Sequence, residues 1–267
     1  MNRLLIKPFL TVVFMLGCFL LAEAQQVIQP KQLNYGLRGI LYKEEKSVDL
    51  SIHSNGFFIG MNFGKILTYY KTKYFHINAG ILKHPKEYRQ PVNFQNGATV
   101  IKTSSAFTYG KQNNLIILRA GVGEKRYFSE KAKRKGVAVG ISYEIGGSLG
   151  LLKPYYLNLN RVEENGVTDF VSTERYSEDN ADFFLDQNRI LGSASFFKGM
   201  DEISIAPGVH AKAALHFSVG AFDQFVRALE VGLMVDGYFK RMPIMILENN
   251  TPIFINGYVT IQLGKRN

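Results

Sequence analysis

Hydrophobic and polar residues alternate along much of the chain, and the last segment shows the pattern most clearly. From Ile253 to Leu263 the odd positions are apolar or glycine, while the even positions carry polar or aromatic side chains. Because successive side chains of a β-strand point to opposite faces, this segment is predicted to be a strand with one apolar face. The same alternation occurs in seven earlier segments, which begin near Lys46, Phe57, Phe75, Leu115, Val137, Ala211 and Leu229.

The links between these segments alternate in length. Short links at 71–73 and 221–224 and a basic turn at 124–135 fall on one side. The other side has long polar stretches at 83–114 and 151–208, a link at 240–252 and one short hairpin turn at 54–56. Short turns at one end and long loops at the other are typical of outer-membrane barrels. The sequence therefore predicts an all-β protein, an antiparallel transmembrane β-barrel with long extracellular loops. We expect eight strands, or ten if weak segments near 98–109 or 148–160 also form strands.

The first 24 residues have the three parts of a secretory signal peptide. A positive start with Arg3 and Lys7 precedes an apolar run that ends at Leu21, and Ala22-Glu-Ala24 supplies the cleavage pattern. We therefore expect export, cleavage after Ala24 and location in the outer membrane. The domain prediction is a signal peptide over 1–24, a polar lead-in over 25–45 and a barrel over 46–267 with long loops at 83–114 and 151–208. Cys18 is the only cysteine, so the mature chain has no disulfide.

Alternation alone also fits a soluble exported β-barrel that binds a ligand, in which the apolar face would point inward. The polar face favours the membrane alternative because it combines charged residues with many glycines, and small residues let a narrow lumen close around a few charged side chains. The predicted polar network of the lumen consists of Asp49, His76, Arg119, Glu144, Lys212, His216, Glu230 and Asp236. The residues predicted to face lipid are Leu229, Val231, Leu233, Val235, Val259 and Ile261.

Within the lumen, ion pairs are expected between Arg119 and Glu144 and between Lys212 and Glu230. Each pair lies on neighbouring predicted strands, and such pairs would fill the lumen and fix the register. No spacing typical of a metal site, a nucleophile or a phosphate loop occurs, so we expect neither a metal nor a cofactor.

The charge balance is basic, with 32 Lys and Arg against 22 Asp and Glu. For an exported chain, anionic lipid headgroups, lipopolysaccharide or an acidic partner are more plausible counterparts than nucleic acid, and solvated loop charge accounts equally well for much of the excess. The expected partners are therefore outer-membrane lipid and no nucleic acid.

Several segments resemble uncharacterised outer-membrane barrel proteins of Bacteroidota. These segments are Ala228–Arg266, Leu41–Glu45, Asn55–Phe57 and His84–Tyr88. The resemblance implies the barrel fold and the outer-membrane location. It implies no catalytic residue.

A porin is disfavoured, because the interior of an eight-stranded barrel is only wide enough for side chains. Besides the soluble ligand-binding barrel, two function classes are open from the sequence. The first is a structural or interaction protein, such as a subunit of an envelope assembly or secretion complex, with a protein partner bound by loop 151–208, where carboxylates and phenylalanines are interleaved. The second is an outer-membrane enzyme that modifies lipid, with His216 and Ser218 on one face and Glu230 on the next strand. Because lumen-facing side chains do not reach acyl chains, we expect no enzyme here.

Overall fold

The computed structural model describes residues 42–68, 70–91, 106–128, 137–162, 169–219 and 224–267. The predicted signal peptide and nearly all of the predicted lead-in lie outside these residues. Within them, no helix is long and apolar enough to cross a membrane.

Eight strands close into an antiparallel barrel. They are β1 (Glu44–His53), β2 (Gly56–Thr68), β3 (Lys71–Leu82), β6 (Asn113–Tyr127), β7 (Val137–Pro154), β11 (Ser204–Val219), β12 (Phe225–Tyr238) and β13 (Ile253–Arg266). Each pairs with the next barrel strand along the chain, and β1 pairs with β13 to complete the circle. The prediction of eight antiparallel strands is confirmed. The lead-in ends earlier than predicted, because Glu44 and Glu45 already belong to β1.

The barrel has two different ends. The start of β1 and the end of β13 lie at the terminal end, together with the links that join β2 to β3, β6 to β7 and β11 to β12. The links that follow β3, β7 and β12 lie at the loop end. One of the terminal-end links is shorter than predicted, because residues 124–127 of the supposed basic turn continue β6.

The side chains follow the alternation of the strands, with apolar residues outside and polar residues inside. In β1, Val48, Leu50 and Ile52 are exposed, whereas Ser47 and Asp49 are buried. In β13 the outward positions run from Ile253 to Leu263. Those ten steps cover roughly 34 Å of strand, which at a tilt of about 40° matches an apolar band about 25 Å tall. A soluble barrel would require the opposite distribution.

The described part of the predicted loop 151–208 consists largely of strands and short helical turns, which corrects the expectation of a long loop. Its beginning and end prolong β7 and β11. These two strands stay paired without a register shift, from Val137 opposite Val219 to Leu152 opposite Ser204. Residues 155–203, called the loop-end domain below, contain three strands, β8 (Tyr156–Val162), β9 (Asp169–Arg175) and β10 (Ile190–Ser193). These form a sheet in the order β10-β8-β9. A short helix, α1 (Ala181–Phe184), and 3-10 turns at 178–180, 187–189 and 200–202 complete it.

Part of the predicted loop 83–114 is also ordered. Two short strands, β4 (Arg89–Gln90) and β5 (Phe107–Thr108), pair with each other, and the last two residues of the predicted loop belong to β6. Of the weak segment expected near 98–109, residues 98–105 lie outside the described residues, and β5 pairs with β4 instead of joining the barrel.

Candidate functional site

The lumen of the barrel is filled by side chains in layers. Nearest the loop end, Arg119 of β6 reaches Asp236 of β12 through two hydrogen bonds, with Nε–Oδ1 and Nη2–Oδ2 distances of 2.6 and 2.8 Å. The Arg119 guanidinium also lies 3.9 Å from the centre of the Phe58 ring, and Arg119 and Asp236 are both fully shielded from solvent. This planar, bidentate contact is the strongest kind of ion pair available to a carboxylate.

The middle layer is centred on Glu144 of β7. Its carboxylate lies 2.9 Å from His76 Nδ1, 2.9 Å from His210 Nε2 and 3.2 Å from Lys212 Nζ. Asp49 extends the layer by lying 3.3 Å from His76 Nε2. One carboxylate therefore holds side chains from β3 and β11 together across the lumen.

The layer at the terminal end contains two further groups of contacts. Glu45 of β1 accepts hydrogen bonds from Lys125 Nζ and Arg266 Nε at 3.1 and 2.8 Å. Beside them, His216 Nδ1 lies 2.8 Å from Glu230 Oε1, and its Nε2 lies 3.2 Å from the Tyr127 hydroxyl. Each charge in this layer thus has an opposite charge or a hydrogen-bond partner, which buried charges require.

Glycines allow this packing. A Cβ atom at Gly60 would lie 2.7 Å from His76 Nε2, and one at Gly146 would lie 2.8 Å from the His210 ring. Real Cβ atoms essentially never approach this closely, and a Cβ atom at Gly146 would lie still closer to the backbone oxygen of Ala120. Side chains at these positions would therefore displace the histidines and the neighbouring backbone. The glycines on the polar face therefore provide the space that the network occupies.

The structure places all eight predicted network residues inside the barrel, but it corrects the predicted pairs. Arg119 pairs with Asp236 instead of Glu144, and Lys212 contacts Glu144 instead of Glu230. The pairs were assigned to neighbouring strands, whereas Arg119 and Asp236 lie on strands that are not neighbours and their long side chains meet across the lumen. The six residues predicted to face lipid are all exposed on the outside of the barrel.

Several network residues escaped the sequence analysis. His210 lay outside the predicted strand, which began at Ala211, and Lys125 was assigned to the basic turn although it is buried inside β6. Continuing the alternation outward from each strand would have found both, because His210 keeps the inward parity of Lys212. Glu45 and Arg266 were missed because they are the second and the last residues of their strands.

The predicted catalytic group is only half assembled. His216 and Glu230 are in hydrogen-bond contact, but the second His216 nitrogen faces Tyr127, and both His216 and Ser218 are buried in the lumen. A catalytic base must reach the proton of its nucleophile and the nucleophile must reach a substrate. Among the described residues, no group of three or more His, Cys, Asp or Glu could hold a metal ion.

A hydrophobic segment from the link between β12 and β13 closes the loop end of the lumen. Met242, Ile244 and Met245 are buried and pack in one cluster with Phe58 and Phe254 of the strands. Lys111 and Met245 form an isolated antiparallel β-bridge. Burial lowers the pKa of the Lys111 ammonium, although the adjoining Glu87 carboxylate acts in the opposite direction.

The loop-end domain has a core of its own. Leu157, Leu159, Phe184 and Ile190 are buried together with Phe107, which comes from the link after β3. Arg161 and Glu174 join β8 to β9 through two hydrogen bonds of 2.8 and 2.6 Å, and these bonds hold the pKa of the Glu174 carboxyl below its usual value.

The domain is also attached to the rest of the loop end. The backbone NH of Thr108 donates to the Tyr155 hydroxyl over 3.1 Å, and the Tyr109 hydroxyl donates to the Leu185 carbonyl over 2.9 Å. On its surface Phe170, Phe196 and Phe197 are exposed, Phe197 to 77%. Exposed carboxylates accompany them at Glu178, Asp179, Asp182, Asp201 and Glu202. The domain thus presents aromatic and acidic side chains on an ordered scaffold.

Comparisons with known proteins give structural similarities only. No protein-family model and no curated protein matches the chain. The Neisserial surface protein A is similar in structure with a TM-score of 0.35 and 8% identity over 84% of this chain and 94% of that one. The attachment invasion locus protein Ail of Yersinia pestis has a TM-score of 0.34 and 6% identity over 84% and 95% of the two chains. The N-terminal β-barrel domain of Pseudomonas aeruginosa OprF has a TM-score of 0.31 and 10% identity over 84% and 96%. These similarities are too weak to carry an argument, so the fold assignment rests on the strand pairing of this chain.

Proposed function

We propose that this chain is an outer-membrane β-barrel that acts as a structural or interaction protein. In this proposal residues 1–24 are a cleaved signal peptide, outer-membrane lipid surrounds the barrel and the loop-end domain binds a protein partner. Membership of the Bacteroidota family suggested by the sequence remains a prediction.

The membrane part of the proposal is supported by the distribution of side chains. Leu50, Ile59, Ile145 and Leu233 are examples of exposed apolar residues that surround the barrel, while the lumen holds ionised groups in pairs. In water, such a continuous apolar exterior would drive association. In a bilayer the same residues face hydrocarbon and every strand edge is paired, as a membrane barrel requires.

The observation that carries the interaction role is the ordered loop-end domain with its exposed phenylalanines. A barrel that needed only anchorage could join Leu152 and Ser204, which already pair, by a short turn. Instead, 49 residues between these strands form a domain with a hydrophobic core. Exposed aromatics are enriched at protein interfaces, where they supply much of the binding energy.

Co-purification from the native host tests this role. The double variant Phe196→Ser/Phe197→Ser should lose a partner that co-purifies with the unaltered protein, whereas Phe239→Ser should retain it. Phe239 is an equally exposed aromatic at the loop end, but it lies outside the loop-end domain. Replacing residues 155–203 with a short glycine-serine turn should also lose the partner and leave the barrel in the membrane. Retention of the same partner by both altered proteins would contradict the proposal.

The lipid-modifying enzyme receives less support from the geometry. The His216–Glu230 pair is buried, and Tyr127 occupies the position at which a base would meet its nucleophile. The lack of enzymatic activity nevertheless stays a prediction. A His216→Ala variant with unchanged lipid composition of the host membrane would be consistent with it.

A further inference from the structure

An amphipathic groove crosses the outside of the barrel near its terminal end. Its volume is about 1030 Å³, and its lining comes from six neighbouring strands, β1, β2, β3, β6, β7 and β11. Besides outward-facing side chains, the lining includes Glu45, Tyr74 and Glu144, whose side chains are buried inside the barrel. The exposed side chains of Phe63, Phe75, Val122 and Ile145 line its apolar part. Lys65 and Lys73 line the side nearer the terminal end, with Glu44 and Glu124 next to them in the register. Lys46 lies level with Phe63. The groove therefore joins a cationic edge to an apolar floor.

The lysines are placed so that they repel one another. Lys65 lies directly opposite Lys73 in the register of β2 and β3, and Lys46 lies opposite Lys265 in the register of β1 and β13. Like charges directly opposite on neighbouring strands are destabilising. An anion bound between them would relieve this repulsion.

Carboxylates of the chain leave most of this charge uncompensated. Glu44 lies opposite Lys65 in the register of β1 and β2, and its carboxylate is 3.9 Å from Lys46 Nζ, both side chains being largely exposed. Within the described residues Lys65 and Lys73 form no ion pair shorter than 4 Å. Glu124 lies opposite Lys73 in the register, but its carboxylate already contacts Lys71 at 2.9 Å, Arg126, and the Tyr143 hydroxyl at 2.8 Å. The cationic edge is therefore open to an external anion.

We propose that this groove binds one anionic glycerophospholipid from the leaflet at the terminal end. The phosphate lies among Lys46, Lys65 and Lys73, and an acyl chain follows Phe63, Phe75 and Val122. A free phosphate would use only the cationic edge, and a neutral lipid only the apolar floor, whereas an anionic phospholipid complements both. Lysines near a bilayer surface attract anionic lipid in this way. The inference rests on the membrane location proposed above.

The absence of tryptophan from the chain permits a site-specific test. Phe75→Trp introduces one fluorophore at the groove, and Leu215→Trp introduces one four residues from the terminal end of β11, outside the groove. Each variant is reconstituted in phosphatidylcholine vesicles that contain phosphatidylglycerol, with one of the two lipids brominated in turn. The quenching gives the relative affinity of the two lipids next to each tryptophan.

At Phe75→Trp we expect phosphatidylglycerol to be preferred by about fivefold or more, since each lysine near the surface adds attraction. At Leu215→Trp we expect nearly equal quenching by the two lipids. Adding Lys46→Gln, Lys65→Gln and Lys73→Gln to Phe75→Trp should abolish the preference. The matched control removes the same charge at the loop end with Lys86→Gln, Lys198→Gln and Lys240→Gln, and it should leave the preference unchanged.

Four results would overturn the proposal. Equal quenching by both lipids at Phe75→Trp, or the same preference at Leu215→Trp, would mean that no specific site exists. Loss of the preference on adding inorganic phosphate would assign the lysines to a free anion. No quenching by either brominated lipid would refute the membrane location as well, which distinguishes failure of the proposed function from failure of the site alone.

Discussion

At the scale of single residues, parity along a strand decides which environment a side chain meets. Val259 is exposed on the outside of β13, and its neighbour Thr260 is buried in the lumen, where its hydroxyl lies 2.6 Å from that of Ser51. A charged side chain would therefore destabilise the barrel at both positions, but for different reasons. Outside, the cost is transfer into hydrocarbon, and inside it is the lack of space.

The first prediction concerns depth in the bilayer. Val259→Arg, near the middle of the apolar band, should lower the free energy of unfolding in vesicles by about 2–4 kcal/mol. Ile253→Arg, on the same face at the loop end of the strand, should cost only about 0–1 kcal/mol. Denaturant titration of both variants in lipid measures the difference. Equal costs would mean that β13 does not cross a bilayer with this face outward.

The second prediction concerns the buried pair. Arg119→Met or Asp236→Leu alone should destabilise the barrel by about 3–5 kcal/mol, because each leaves one charge buried without its partner. The double variant should recover much of that loss, since apolar groups can replace both ions. Unfolding free energies of the three variants complete a double-mutant cycle. Additive losses would show that the two residues do not act as a pair.

At the scale of elements, the hairpin of β7 and β11 is longer than a membrane crossing requires. β7 has 18 residues and β11 has 16, whereas a transmembrane strand needs about 9–11. Their excess length extends past the loop end and supports the loop-end domain. The loop-end domain is therefore connected to the barrel by two paired strands instead of by an unpaired linker.

The third prediction tests the hydrophobic core of that domain. Phe184 is fully buried and its ring meets Tyr176 edge-on, so Phe184→Ala should cost about 3–5 kcal/mol locally. Limited proteolysis should then cleave within 155–203 while the barrel stays protected. Phe197→Ala, at an exposed position, is the control and should leave the cleavage pattern unchanged. Protection of the domain in the Phe184→Ala protein would show that its core does not depend on this ring.

At the scale of the whole molecule, the charges are segregated along the barrel. Basic side chains surround the terminal end, ion pairs fill the lumen, and exposed carboxylates gather on the loop-end domain. In the proposed function these regions would face lipid headgroups, the barrel interior and a protein partner. This separation of charge along the barrel axis is expected of a protein that keeps one orientation relative to a membrane.

The fourth prediction concerns the location and closure of the barrel. After fractionation, the mature protein should be found in the outer membrane and should require detergent for extraction. Because every barrel strand is paired on both edges, the unheated protein in dodecyl sulfate should migrate differently from the heated protein. A soluble periplasmic protein without this heat-dependent shift would contradict both the membrane location and the closed barrel.

The strands and their faces were determined by the sequence itself. Period-two alternation is local information, so segments such as Ile253–Leu263 specify a strand and its apolar face without reference to the rest of the chain. Weaker local signals received less weight. Leu157 and Leu159 alternate with asparagines, and their segment was expected only as a possible additional strand, whereas it forms β8 outside the barrel. His210, which continues the parity of Lys212, was left outside its strand.

The partners of the lumen residues were decided by the tertiary structure. Arg119 meets Asp236, and Glu144 meets His210 and His76, because register and barrel closure bring together strands distant in sequence. The core of the loop-end domain likewise needs Phe107 from another link. The amphipathic groove forms only when β1, β2 and β3 are aligned, because each of these strands contributes only some of its lining residues. Such contacts depend on the alignment of separate segments, which alternation within one segment does not encode.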